Sequence, residues 1–263
     1  MTTANVQTSR DPAATPRAVL LGAKGIGKSY GGLRAVGDAC LDLYAGEVVA
    51  LVGDNGAGKS TFVRMLSGVI APDTGTLAID GREVRFGSPA QARAAGIETL
   101  HQSLALVDVF DVPGNVFLGR ELVRRRFGVL PVLDKAAMRR RTAELLQRIG
   151  ANLPSIDRPV RAMSGGQRQA VAIARLLLNE VRLLIMDEPM AALGVDEGRK
   201  VLDLIAELRA RGLAVLIISH NLEHVFSVAD RICVMKNGGI VGVVEAAGTS
   251  HDRIVRMIVS GTA

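Results

Sequence analysis

Tryptophan is absent from this 263-residue chain, and only two tyrosines and six phenylalanines occur. A core built from such a sequence must be packed with Leu, Ile, Val and Ala. The length allows one large α/β domain or two small ones. Cysteine is equally scarce, with Cys40 and Cys233 far apart in separate apolar contexts. That is neither a disulfide framework nor a metal-ligand spacing; it fits a reducing cytoplasm, and both residues read as plain core thiols. No apolar run approaches the roughly 18 to 20 residues that span a bilayer. The longest, such as residues 213–219, are strand-length. The first 16 residues are polar and contain proline, without the apolar stretch of a signal peptide, and are expected to form a disordered tail. The expectation is a soluble, cytoplasmic chain, which leaves docking on a membrane protein open.

The formal charge is +6 and the pI about 9.8, which favours contact with something acidic. Two arginine clusters, Arg124–Arg126 and Arg139–Arg141, carry much of it. Neither is interleaved with the aromatics that base stacking uses, so both read first as solvated helix faces.

Apolar periodicity divides the chain into three stretches. From Ala18 to about Gly53 short strand-like runs (19–21, 39–44, 47–52) suggest a small antiparallel sheet feeding a central strand. Residues 61–68 read as a helix, and 76–86 as a hairpin around Asp80-Gly81. From about 104 to 162 the pattern becomes Arg-rich and helical; Met138, Leu145, Leu146 and Ile149 share one face. This reads as a helical subdomain inserted into an α/β core. The core resumes with a helix (167–178), a buried strand (183–186), a helix (196–211) and a strand (214–218). Strands alternating with helices imply a mostly parallel sheet covered on both faces.

The phosphate-loop pattern G-x-x-x-x-G-K-[ST] occurs twice, as Gly22–Ser29 (GAKGIGKS) and Gly53–Ser60 (GDNGAGKS). It works only between a buried strand and a helix, where glycines let backbone N–H groups wrap phosphates and the helix N-terminus adds a favourable dipole. The second copy has that context. The first runs into Tyr30-Gly31-Gly32, which stops a helix at once, so it reads as a chance match in a sheet-edge segment. The phosphate loop is therefore Gly53, Asp54, Asn55, Gly56, Ala57, Gly58, Lys59, Ser60 and the adjoining Thr61. Lys59 is expected to bridge the β- and γ-phosphates and the Ser60 hydroxyl to hold Mg²⁺.

Two apolar strands deliver polar residues at their carboxyl ends, where open α/β sheets bind ligands. Residues 183–186 lead to Asp187-Glu188. Two adjacent carboxylates repel unless a cation is near; Mg²⁺ on Asp187 supplies it and leaves Glu188 to orient or deprotonate an attacking water. Residues 214–218 lead to Ser219-His220, where His220 can contact the γ-phosphate or position that water. His101, His224 and His251 read as structural residues.

Ser164-Gly165-Gly166-Gln167 precedes a helix and is a weak phosphate-site signal by itself. Together with Gly53–Ser60, Asp187-Glu188-Pro189 and His220 in this order, it makes the chain resemble ABC (ATP-binding cassette) ATPases, a P-loop α/β fold, from about Ala18 to the C-terminal region. The resemblance implies ATP and Mg²⁺ as ligands. It implies that Ser164–Gln167 caps the ATP of the other protomer in a head-to-tail dimer. It also implies that Gln102 senses Mg²⁺ and contacts a transmembrane permease subunit, and that Tyr30 stacks on adenine. GDNGAGKST, AAGIETLHQ, FLGRE, SGGQRQAVAIAR, AALGV and ISHNLEHVFSVADRI resemble the ATPases of bacterial monosaccharide importers of the fructose and ribose type, in their single-cassette branch. That implies one cassette over residues 17–263 on the inner face of the cell membrane, served indirectly by a sugar-binding protein outside. Two residues depart from the family pattern: Met190 stands where most cassettes have Thr, and Gly194 where most have Asp; the sugar group also carries the glycine. A soluble cassette acting on nucleic acid or ribosomes is the rival reading. The chain lacks the tandem cassettes, coiled coils and zinc motifs of such proteins, so no nucleic-acid partner is expected. The intact Lys59, Asp187, Glu188 and His220 argue against a cassette that binds ATP without hydrolysing it.

Overall fold

A computed structural model describes residues 18–262 apart from 127, 128, 152 and 192; the segment 1–16 lies outside the described residues. Twelve strands and eight α-helices are present among them. The first sheet is antiparallel, in the order β2-β1-β4-β5, from β1 (Val19–Tyr30), β2 (Leu33–Tyr44), β4 (Thr74–Ile79) and β5 (Arg82–Val84). The short runs expected at 19–21 and 39–44 are parts of two long strands. The hairpin expected around Asp80-Gly81 joins β4 to β5, with φ of 50° and 77° at the two turn residues. Two successive left-handed residues match the right-handed twist of the flanking strands, and Asp and Gly tolerate them.

The central sheet runs β12-β11-β3-β10-β9-β6, from β3 (Val48–Val52), β6 (Ile97–Leu100), β9 (Leu183–Asp187), β10 (Ala214–Ile218), β11 (Arg231–Lys236) and β12 (Gly239–Glu245). All neighbours are parallel except the β11–β12 hairpin. β3 and β10 are buried at every position, so their side chains divide by alternation between two cores. Val48, Ala50 and Val52 join one cluster with Leu184, Met186, Val215 and Ile217. Val49 and Leu51 join the other with Leu183, Ile185, Leu216 and the antiparallel sheet.

Helices α1 (Lys59–Leu66), α2 (Pro89–Ala94), α5 (Gly165–Leu176), α6 (Val195–Ala210) and α7 (Leu222–Val228) connect these strands, and α8 (His251–Ser260) follows β12. The stretch read as a helical subdomain contains α3 (Val112–Val116) and α4 (Lys135–Arg148), but also a hairpin of β7 (Val123–Arg126) and β8 (Leu130–Leu133). Arg124 and Arg125 are thus exposed on a strand and not on a helix face; Arg139–Arg141 are exposed on α4. The β-branched and proline-containing run Val129–Leu133 overrides the arginines' helix preference. One cysteine expectation also fails. Cys233 is buried in β11, its thiol pushed up to about 12 by burial, whereas Cys40 is exposed on β2. No helix among the described residues is long and apolar enough to cross a membrane.

Candidate active site

β3 ends at Val52, and Gly53 (φ 153°), Gly56 (φ 81°) and Gly58 (φ 102°) carry the chain round to α1. A Cβ on Gly53 would overlap the Met235 carbonyl oxygen, and one on Gly58 would lie 2.6 Å from that of Ala35. Both positions therefore need glycine for space as well as for conformation. Gly58 is also the N-cap of α1. Having no side chain, it leaves the first helical amides open, which is the arrangement that accepts an anion. The Lys59 ammonium donates to the carbonyl oxygens of Gly53 at 2.7 Å and Asp54 at 2.8 Å. Burial pulls its pKa below the usual lysine range, against the opposing pull of Glu188, Asp54 and Asp187.

The first motif copy has none of this geometry. Gly22–Ser29 lies inside β1, with Gly22 paired to Asp42 on one side and Ala78 on the other. Its backbone pairs with both neighbours through bulges, and the Gly25 and Ser29 amides donate to Cys40 Sγ and an Asp73 carboxylate oxygen, so its amides do not converge on a phosphate. Lys28 instead donates to Asp73 at 2.6 Å.

Asp187 closes β9, and Glu188 is the next residue. Burial, and next the Glu188 charge, raise the Asp187 carboxyl above the usual range; His101, Lys59 and Arg64 pull it back. Glu188 adopts φ 50°, uncommon for a residue with a Cβ. Its amide donates to Ile218 at 3.0 Å, which ties the bend to the end of β10. One Glu188 carboxylate oxygen lies 2.8 Å from Nδ1 of His220. Parallel pairing of β9 with β10 and of β10 with β3 brings three sequence-distant strand ends to one edge.

These residues surround a cleft of about 640 Å³, lined by Asn55 to Thr61, Gln102, Asp187, Glu188 and His220, with Leu33, Arg34, Ala35, Ile218, Asn237 and Gly238 completing the wall. Tyr30 is outside the wall, but its cross-strand partner Leu33 is in it. Ser164–Gln167 is outside it too. Ser164 accepts from the Gln167 amide at 3.4 Å, and Gln167 accepts from the Ser164 amide at 3.0 Å, a reciprocal cap on α5. Gly165 borders a smaller cavity of about 150 Å³ with Gln102, Asp187, Glu188 and His101. His101, read from sequence as structural, thus stands at the site, at the end of β6. Its adjacency to Gln102 was the available signal. Arg34 and Asn237 come from other elements and carried no signal of their own.

The oxygens of Ser60, Gln102 and Asp187 form a hard donor set on the same cleft, which suits Mg²⁺. Among the described residues no group of three or more His, Cys, Asp or Glu could hold a metal. A cation held here would need further ligands, such as water or a bound phosphate, as Mg²⁺ usually has. Met190, the residue after Asp187-Glu188-Pro189, is buried in the larger core cluster, where its flexible thioether fills space.

The family model described as ABC transporter matches residues 36–191, more than half of the chain. The fructose import ATP-binding protein of Rhizobium meliloti is 46% identical over 224 residues, which are 83% of this chain and 85% of that protein. A xylose/arabinose import ATP-binding protein of Sulfolobus acidocaldarius is 42% identical over 92% of this chain and 94% of its own length. A ribose import ATP-binding protein of Rubrobacter xylanophilus is also 42% identical, over 90% of this chain but only 45% of that protein. Among solved structures, a nucleotide-free ATP-binding cassette from an ABC transporter has the same fold, with a TM-score of 0.77 at 24% identity over 92% of this chain and 95% of that one. Matching at this identity over nearly the full length of two relatives, and carrying the fold and the cleft just described, the chain belongs to the ABC transporter family.

Proposed function

We propose that this chain is the ATP-binding and ATP-hydrolysing subunit of a monosaccharide importer, one cassette over residues 17–263 with an inserted subdomain near 104–162. The observation that carries the reading is the convergence of Lys59, Asp187, Glu188 and His220 on one cleft. The fructose and xylose/arabinose import relatives support the substrate class.

In this reading the Gly53–Thr61 amides wrap the triphosphate and Lys59 bridges its β- and γ-phosphates. Tyr30 stacks on the adenine. Ser60, Gln102 and Asp187 would hold Mg²⁺, which would neutralise phosphate charge there. Glu188 engages His220 through one carboxylate oxygen, leaving the other to take a proton from the attacking water. That water's oxygen bonds to the γ-phosphorus as the bond to ADP breaks, and His220 orients the group being transferred. Ser164–Gln167 is outside its own chain's cleft, which supports a head-to-tail pair in which each copy closes the other's ATP. The pair works at the inner face of the cell membrane with separate permease subunits, fed by an external sugar-binding protein.

The test is uptake of radiolabelled fructose, ribose and xylose by cells expressing the chain with its neighbouring membrane-spanning subunit. Uptake of one of these sugars that disappears with Glu188→Gln supports the proposal. Recovery of the chain on ribosomes or DNA at physiological salt, with none in the membrane fraction, would overturn it.

A further inference from the structure

The lysine of the chance motif copy is not idle. Around it, Asp73 takes hold of the end of β1 with three hydrogen bonds. Its amide donates to the Gly27 carbonyl at 2.8 Å. One carboxylate oxygen accepts from the Lys28 ammonium at 2.6 Å and the other from the Ser29 amide at 2.9 Å. The residue after this grip is Tyr30, which is 46% exposed. The Lys28 ammonium lies 6.0 Å from the centre of its ring, the outer reach of a cation–π contact. Beyond Tyr30 the chain turns at Gly31 and Gly32, with φ of 52° and 88°. A Cβ at either would meet no atom of the described residues within 4 Å apart from its own chain neighbours, so the turn stands open. Leu33, paired with Tyr30 across the hairpin, is 73% exposed and lines the cleft. Strand ends beside open turns fray at little cost, and this one is pinned one residue before its aromatic.

We propose that Asp73 and Lys28 form a brace that positions the Tyr30 ring for the base of the bound nucleotide. The inference rests on the reading of Tyr30 as the adenine-stacking residue. The brace sets how long the ring presents a fixed face beside the cleft, so it acts on nucleotide affinity and leaves the phosphate chemistry alone. Asp73 touches neither the cleft wall nor the catalytic carboxylates; it acts through Tyr30.

The experiment uses the full chain with two ligands, ATP and inorganic tripolyphosphate, which lacks the base. Asp73→Ala raises the KM for ATP roughly two- to five-fold, the range of an exposed ion pair, with kcat unchanged. Lys28→Ala keeps the Ser29 bond and raises it less. Tripolyphosphate binds all of them equally. Combining Asp73→Ala with Tyr30→Ala gives no larger KM than Tyr30→Ala alone. Losses that multiply in the double variant, or equal weakening toward tripolyphosphate, overturn the brace. A normal KM in Asp73→Ala beside a raised one in Tyr30→Ala overturns the brace alone. A normal KM in Tyr30→Ala overturns the adenine reading and the brace with it. If Asp73→Ala fails to fold, Asp73→Asn keeps the shape and removes the charge, and the same outcomes apply.

Discussion

The pattern G-x-x-x-x-G-K-S is present at Gly22–Ser29 and again at Gly53–Ser60, and the two regions do opposite things with the same residues. In the first, the chain stays a strand paired with β2 and β4, and the lysine turns to Asp73. In the second, the strand stops at Val52 and the glycines bend the chain. The lysine then folds over the loop's own carbonyls beside Asp187 and Glu188. A phosphate loop is thus a backbone conformation set by the strand before it and the helix after it. The glycines permit that conformation without imposing it.

The comparison breaks most visibly at the base. Glu188→Gln keeps size and shape, and hydrolysis should fall by about 10²- to 10⁴-fold while ATP still binds. The same variant should then sediment as an ATP-dependent dimer, because a ligand held only by the closed pair stabilises it. Adding Ser164→Arg should abolish that dimer while binding persists. An unchanged hydrolysis rate would remove Glu188 from the reaction, and a dimer surviving Ser164→Arg would remove the shared site.

Removing each motif's lysine comes next. Lys59→Ala should lower phosphate release by roughly 10²- to 10³-fold, the loss of one preorganised charge-stabilising donor. Lys28→Ala should shift only KM, by the few-fold that the brace implies. The reverse ranking would mean that the first copy is the phosphate loop.

Tyr30→Ala should weaken ATP by about three- to twelve-fold, the worth of roughly 0.5 to 1.5 kcal/mol of ring stacking, whereas Tyr30→Phe keeps the ring and should bind normally. Equal losses in the two variants, read as apparent KM, would point to the hydroxyl.

Glycine-to-alanine substitutions carry the contrast into stability. Gly58→Ala forces a Cβ against the Ala35 carbonyl at a left-handed position, so it should cost about 1–3 kcal/mol. Gly22→Ala, buried in β1 but without a left-handed φ, meets the movable Asp42 carboxylate at 3.0 Å and should cost about 0.5 kcal/mol, the low end for single substitutions. Denaturant midpoints compare the two directly; equal shifts would contradict the packing described.

The smallest effect is a silence. Cys40 is exposed and accepts from the Gly25 amide at 3.1 Å, so its alkylation reports on the first copy. Cys233 is buried, with its thiol pushed up to about 12, and should not label. ATP should leave Cys40 labelling unchanged; protection by ATP would place a nucleotide at the wrong loop.

Much of the site was legible because strand ends announce themselves. The apolar runs before Asp187 and His220 are long enough to be buried on both faces, and each delivers its polar residue to the sheet edge. Four-residue β6 and six-residue α2 are too short to show a period, so His101 could not be set beside Asp187. The β7–β8 hairpin was hidden by arginines, which favour helices when nothing else decides. Cys40 sits in an apolar-looking run, but alternation along β2 turns it outward while Ala39 and Leu41 point in.

Local chemistry along the chain determined the glycine turn at Gly53–Gly58, the self-cap of Ser164 and Gln167, the Asp80-Gly81 hairpin and the choice between the two motif copies. Each depends on residues within about one turn or one strand, where sterics and hydrogen-bonding capacity act directly. Tertiary structure decided the rest: that Glu188 meets His220, that Asp187 is desolvated beside Lys59, and that Asp73 reaches Lys28 forty-five residues away. Those contacts come from parallel and antiparallel strand pairing over long separations, and no local preference in the sequence encodes which strand ends will share an edge.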